Sequence, residues 1–179
     1  MTAVIVAIVI LIIALLIYAA TKPKTFRMER STTIEAPPDK VFSLIDNFHN
    51  WTQWSPWENV DPNLQRSYDG PDNGKGAIYA YEGNSKVGAG RMEIVESNPS
   101  SKVLATLDFI KPMQAHNFAE FTLRPSGSGT NVTWAMYGPM PYMHRLMTTF
   151  LSMDKMIGKD FERGLANLKA AAETETSGA

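Results

Sequence analysis

Few residue types in this chain could do covalent or proton chemistry, and their spacing says more than their number. Cysteine is absent, which removes thiolate nucleophiles, disulfides and Cys-ligated zinc, and fits a reducing compartment. His49, His116 and His144 are scattered. None shares a His-x-His or His-Glu-x-x-His spacing, so no metal site and no cofactor are expected. Gly74-Lys75-Gly76 and Gly88-Ala89-Gly90 precede alternating segments rather than a helix, so they read as hairpin glycines and not as a phosphate-cradling loop. The charges between Asp154 and Arg163 lie three or four residues apart, the spacing of weak helix-surface ion pairs. Asn50-Trp51-Thr52 and Asn131-Val132-Thr133 match the glycosylation pattern, which has meaning only in a secreted eukaryotic protein.

Four polar residues are candidates for orienting an amphiphile. Alternation places Arg30 on the inward side of a strand, between Met28 and Thr32. A buried, unpaired guanidinium costs several kcal/mol, so Arg30 must pair, reach an edge, or face a polar ligand head. Arg66, Tyr79 and Glu58 pose milder forms of the same question. For proton transfer the available set is Arg30 with Tyr79 or Tyr81, with no inward His or carboxylate beside it. Trp51, Trp54 and Trp57 recur every three residues, with Pro56 interrupting the turn. They either pack a small helix onto the sheet or close over a ligand and touch lipid, with one or two of them expected at a pocket.

These residues need elements to hold them. From Ala3 to Ala20 the chain is apolar, without charge, Pro or Gly, and a helix of that length spans roughly 27 Å, about one hydrocarbon core. A cleaved signal peptide would start with a basic residue and end in small-x-small. Here the start is Met1-Thr2-Ala3 and the positive charges follow at Lys22, Lys24, Arg27 and Arg30. The expectation is an uncleaved anchor over 1–21, a linker at 22–25, an N-terminus outside and a cytoplasmic domain. Lys22 and Lys24 would then lie near anionic head groups. The folded domain is expected over 26–173, followed by a disordered tail at 174–179. The net charge of -1 and the lack of a Lys/Arg stripe exclude nucleic acid as a natural partner.

Within the domain, 25–35 alternates with period two. Ala36-Pro37-Pro38-Asp39 breaks the strand, and a short helix follows over 38–47, with a second helical turn over 49–54. Alternating runs at 64–68, 77–82, 90–97, 102–109, 116–124 and 131–137 with short connections predict an antiparallel meander. From Pro141 to Ala172 apolar residues recur every three or four positions, from Met143, Leu146 and Phe150 to Leu168. That spacing predicts one amphipathic helix of about eight turns, long enough to cross the concave face of a curved sheet. Strand parity puts Met92, Ile94, Val103, Ala105, Leu107, Phe109, Ala119, Phe121, Leu123, Val132, Trp134 and Met136 on one apolar face. The helix opposes it with Met153, Ile157 and Phe161. Such a face is either solid core or pocket wall.

The element order, with the strings IEAPPDKVFSLI (34–45), WTQWSPW (51–57), EGNSKVGAGRMEI (82–94), GTNVTWAMYG (129–138) and MDKMIGKDFERGLANLK (153–169), resembles the SRPBCC superfamily. Its members include START domains, the birch-pollen-allergen type and bacterial polyketide cyclase/dehydrase-like proteins. The resemblance implies an α+β helix-grip fold, with a curved antiparallel sheet wrapped on a long C-terminal helix. It also implies a hydrophobic cavity, and it carries no catalytic signature. The resulting ligand-site candidates are Arg30, Trp54, Trp57, Tyr79, Met92, Phe109, Phe121, Trp134, Met136, Met153, Ile157 and Phe161.

The leading expectation is a membrane-anchored binding protein. Its partners would be a hydrophobic small molecule or lipid in the cavity, and the bilayer through the N-terminal helix. The alternatives are a cyclase or dehydratase acting on a hydrophobic substrate, and a ligand-free stress or interaction protein whose interior is filled by its own side chains. A cavity with a convergent polar pair favours the enzyme, an apolar cavity favours binding, and no cavity favours the last.

Overall fold

The computed structural model describes residues 1–150 and 152–174. The chain begins with helix α1 (Thr2–Thr21), continues through strand β1 (Thr25–Ile34), helix α2 (Pro38–Asp46) and a 3-10 turn (Phe48–Gln53), and then runs through six strands. These are β2 (Gln65–Asp69), β3 (Ile78–Glu82), β4 (Ala89–Asn98), β5 (Lys102–Lys111), β6 (Ala115–Ser126) and β7 (Gly129–Pro139). Helices α3 (Tyr142–Met147) and α4 (Met153–Thr174) follow. The seven strands form one antiparallel sheet in the order β1-β7-β6-β5-β4-β3-β2. Six of the strands form a meander, and β1 closes the far edge against β7. This is the expected helix-grip arrangement.

Strand parity holds across the sheet. Ile94, Val103, Ala105, Ala119, Phe121, Leu123, Val132 and Trp134 are all buried on one face, and α4 covers that face with Phe161, Leu165 and Leu168. Arg27, Glu29, Ser31 and Thr33 of β1 face solvent. His116, with opposite parity to Ala119 and Phe121, is also exposed and pairs with Asp108 through Nδ1 at 2.5 Å. Gly74, Gly76 and Gly88 sit in turns at φ +74°, +92° and +74°, which L side chains rarely adopt. They are turn residues, as expected.

Helix α2 starts with Pro38 at its first position and Asp39 in its first turn, both favourable there. Its last carbonyls lack intrahelical partners. Two indoles supply them: Trp51 Nε1 donates to Ile45 O at 2.8 Å and Trp54 Nε1 to Leu44 O at 2.9 Å. The tryptophan string therefore locks the small helix to the sheet.

The C-terminal helix is not continuous. α3 winds down at Thr148–Phe150 through three-residue turns, Thr149 N to Leu146 O and Phe150 N to Met147 O, each 3.1 Å. Thr148 and Thr149 both turn their hydroxyls back onto Arg145 O, a local bond that competes with helix propagation. α4 then restarts with the Ser152 hydroxyl accepting Lys155 N at 3.1 Å, an N-cap. Met143 and Phe150, expected on a buried stripe, are exposed. Thr174 is helical and donates to Ala170 O at 2.6 Å, so the helix outlasts the predicted domain end. The remainder of the predicted tail, 175–179, lies outside the described residues.

Helix α1 is long and apolar enough to cross a membrane by length and composition. Its side chains are exposed except near its C-terminal end, where Ala19 is buried. There Tyr142 Oη donates to Leu16 O at 3.0 Å, and Arg145 donates to Ala20 O at 2.9 Å and Lys22 O at 3.3 Å. Lys22 Nζ answers by donating to Thr148 O at 2.6 Å.

Candidate functional site

Between the buried sheet face and α4 lies a cavity of about 280 Å³, near the lower end of small-molecule sites at about 300–1,000 Å³. Side chains do not fill this interior, so the sheet face is in part a pocket wall. Eight candidates from the sequence line it: Trp57, Tyr79, Met92, Phe109, Trp134, Met136, Ile157 and Phe161. They come from the segment after the 3-10 turn, four strands and α4, and parity is what points them inward.

Four candidates lie elsewhere. Arg30 does face α4, but its guanidinium pairs with Asp154 and donates from Nε to Glu162 Oε1 at 3.0 Å. It is a strap between sheet and helix at the protein surface, where Gly158 leaves room that a Cβ would take, 2.8 Å from the guanidinium. Trp54 is fully packed beneath the cavity, edge-on to Phe121 at 5.8 Å and Trp134 at 5.6 Å. Phe121 stacks behind Trp134 at 5.1 Å. Met153 packs half-buried against the core at the start of α4, outside the cavity.

The wall is aromatic at its centre. Trp134 is sandwiched between Phe121 and Phe161, with Phe161 only 4.1 Å away and 12° from parallel. The close fit needs Gly164, where a Cβ would lie 2.7 Å from the Trp134 ring. The Trp134 indole N–H is buried and has no acceptor among the described residues. A buried donor left unsatisfied costs about 1–3 kcal/mol.

One pole of the cavity is polar. Glu58 is 4% exposed; its Oε1 accepts Tyr79 Oη at 2.5 Å and its Oε2 accepts Arg66 Nε at 2.6 Å. Arg66 also donates to the backbone oxygens of Glu58 at 2.9 Å and Leu64 at 3.1 Å. Glu58, Arg66 and Tyr79 thus answer one another, and only Arg66 reaches solvent, with its side chain 29% exposed. Burial, reinforced by the neighbouring carboxylate, drives the Tyr79 phenol far above its ordinary value. Burial alone pushes Tyr81 up to about 12. Both phenols are therefore neutral at physiological pH. Gly90 gives Tyr81 its place, since a Cβ there would lie 2.5 Å from the phenol oxygen.

Sequence reasoning missed part of the rim: Leu64, Lys86, Val87, Lys111 and Pro112. Lys86 and Val87 lie in the β3–β4 turn and Lys111 and Pro112 at the β5–β6 turn, where polar and turn-forming residues masked their role. Val87, an apolar residue amid turn chemistry, was the available signal. Among the described residues no cluster of His, Asp and Glu could hold a metal.

A family model described as polyketide cyclase/dehydrase and lipid transport matches residues 25–173. Among solved structures, a protein of unknown function from Staphylococcus aureus superposes with TM-score 0.64 at 13% identity, covering 86% of this chain and 96% of that one. Major latex-like protein 151 from Panax ginseng gives 0.60 at 12% identity, covering 84% and 99%. The di-domain ARO/CYC protein StfQ of the steffimycin biosynthetic pathway gives 0.62 at 11% identity, covering 86% of this chain and 52% of its own length. At such identities the likeness is one of fold. Comparison with curated proteins gives no match. With the fold, the cavity and a family match over residues 25–173, the chain belongs to the polyketide cyclase/dehydrase and lipid-transport family of the SRPBCC superfamily.

Proposed function

We propose that this chain is a membrane-tethered binding protein that holds a hydrophobic small molecule or lipid between its sheet and α4. The observation that carries the reading is the cavity itself, walled by Met92, Met136, Ile157 and aromatic rings and polar at one pole. Methionine adapts to varied ligand shapes. The family's description, which includes lipid transport, supports the same reading. Helix α1 would keep the cavity beside the phase in which such guests dissolve. The basic residues after α1 favour a cytoplasmic domain.

The Glu58–Tyr79 pair favours a second reading, a cyclase or dehydratase. A convergent carboxylate and phenol inside a cavity is the arrangement proton transfer needs. Here, however, Glu58 is bound on both oxygens, and Tyr79 spends its proton on Glu58. Binding is therefore the better-supported role, with the polar pole orienting a head group.

Native mass spectrometry of the full-length protein released from lipid nanodiscs tests this. One reproducible amphiphile adduct is expected, and Ala119→Phe, which fills the cavity from the sheet side, should abolish it while the circular dichroism spectrum is kept. Protein that is consistently empty and ignores added amphiphiles overturns the reading. Turnover of a bound compound that Glu58→Gln abolishes without loss of binding would establish the enzyme instead.

A further inference from the structure

We infer that the end of the sheet nearest α1 is a docking face for an anionic bilayer, and that it seats the mouth of the cavity on the head groups. The inference rests on the reading of α1 as a membrane anchor.

Register locates the face. Thr25, the first residue of β1, pairs with Pro139 at the end of β7. Phe109 near the end of β5 pairs with Ala115 at the start of β6, Lys111 with Ala89, and Ala89 with Glu82. The α1–β1 junction, the exit into α3, the β5–β6 turn and the β3–β4 turn therefore share one end of the sheet. The exposed residues that line the cavity are Lys86, Lys111 and Pro112, which belong to two of those turns. The cavity opens where the anchor enters.

Exposed apolar residues point the same way. Outside residues 1–21, every exposed large hydrophobic residue among the described ones is at the end of β5 or in the β5–β6 connection, in α3 or just after it, or in the first turn of α4. Phe150 is 72% exposed, Met143 64%, Ile110 51% and Met113 47%. Such a concentration in one region marks an interaction site. Its occupant is indicated by what it adjoins: α3 is hydrogen-bonded to the last two turns of α1 through Tyr142 and Arg145, so it lies at the level where α1 leaves the hydrocarbon. Lys22, Lys24 and Lys86 share that end of the sheet, as does Lys111, which is ion-paired with Glu82 at 2.7 Å. Apolar side chains interspersed with Lys fit an interface of anionic lipid.

The natural absence of cysteine makes single labels clean. Full-length Met113→Cys and Phe150→Cys variants, each carrying an environment-sensitive fluorophore, are reconstituted into phosphatidylcholine vesicles with and without phosphatidylglycerol. Ser126→Cys, at the opposite end of the sheet, is the control, and circular dichroism checks each fold. Labels at 113 and 150 should shift to shorter wavelength and be quenched by spin-labelled lipid, more strongly with phosphatidylglycerol, while the label at 126 does neither. A chain that resists alkaline extraction yet leaves 113 and 150 as wet as 126 overturns the docking face and leaves tethered binding standing. A chain that washes off at alkaline pH overturns the anchor and the docking face with it. A blue shift without lipid quenching that grows with added unlabelled protein assigns the face to a second copy and overturns the inference. Quenching indifferent to phosphatidylglycerol overturns the anionic preference.

Discussion

Glu58 shows what a buried charge needs in order to persist. Its carboxylate lies in a cavity wall, 4% exposed, and is held by Arg66 and Tyr79. Arg66 keeps part of its side chain in water, so the two ends of the pair are not equivalent. Arg66→Ala strands an uncompensated carboxylate and should cost about 3 kcal/mol. Glu58→Gln leaves a neutral amide beside Tyr79 and an arginine that can hydrate, and should cost nearer 1 kcal/mol. Urea unfolding followed by tryptophan fluorescence measures both, and equal costs would contradict the asymmetry. The individual residues were legible as questions, since parity flagged Arg30 and polarity flagged Glu58, Arg66 and Tyr79. Their answers were not. Arg30 finds its carboxylates more than a hundred positions away on α4, and Tyr79 meets Glu58 21 positions back. Alternation tells which way a side chain points, but what lies above it depends on how the helix docks.

At the level of elements, α2 depends on tryptophans that follow it. Trp54→Phe keeps a ring but removes the donor to Leu44 O, leaving a half-buried carbonyl unpaired, and should lower stability by about 1 kcal/mol. Trp57→Phe makes no such change and should be milder, by comparison of thermal midpoints. The tryptophan spacing was readable as packing, and the bonds to Leu44 and Ile45 give that packing its chemistry. The break between α3 and α4 was hidden, because Met143, Leu146, Phe150 and Met153 keep a helical period straight through it. Periodicity reports a face, and α3 has a different face to satisfy: it lies on α1. The overlooked cue was Ser152 with Asp154 two residues later, an N-cap and an acidic first turn.

Across the whole molecule, the sheet was legible because burial on one face imposes a period of two. The hollow was not, because core and pocket wall share that parity. The tyrosines at the cavity leave a measurable mark on the folded state. In the unfolded chain Tyr81 ionises near its ordinary 10.0, whereas burial in the fold pushes it up to about 12, and Tyr79 moves the same way. The unfolded state thus loses protons first, so stability is complete below about pH 10 and falls as pH climbs from there towards 12. For Tyr81 the loss is roughly 2 kcal/mol. Denaturation midpoints across that window should decline, and Tyr81→Phe should flatten the decline.

Only Lys22, Pro23 and Lys24 separate α1 from β1, a leash of roughly 10 Å when fully stretched. With α1 embedded, a domain on so short a lead cannot ferry cargo between compartments. On the proposed binding role it would work as a stationary berth, to which guests and any recipient come.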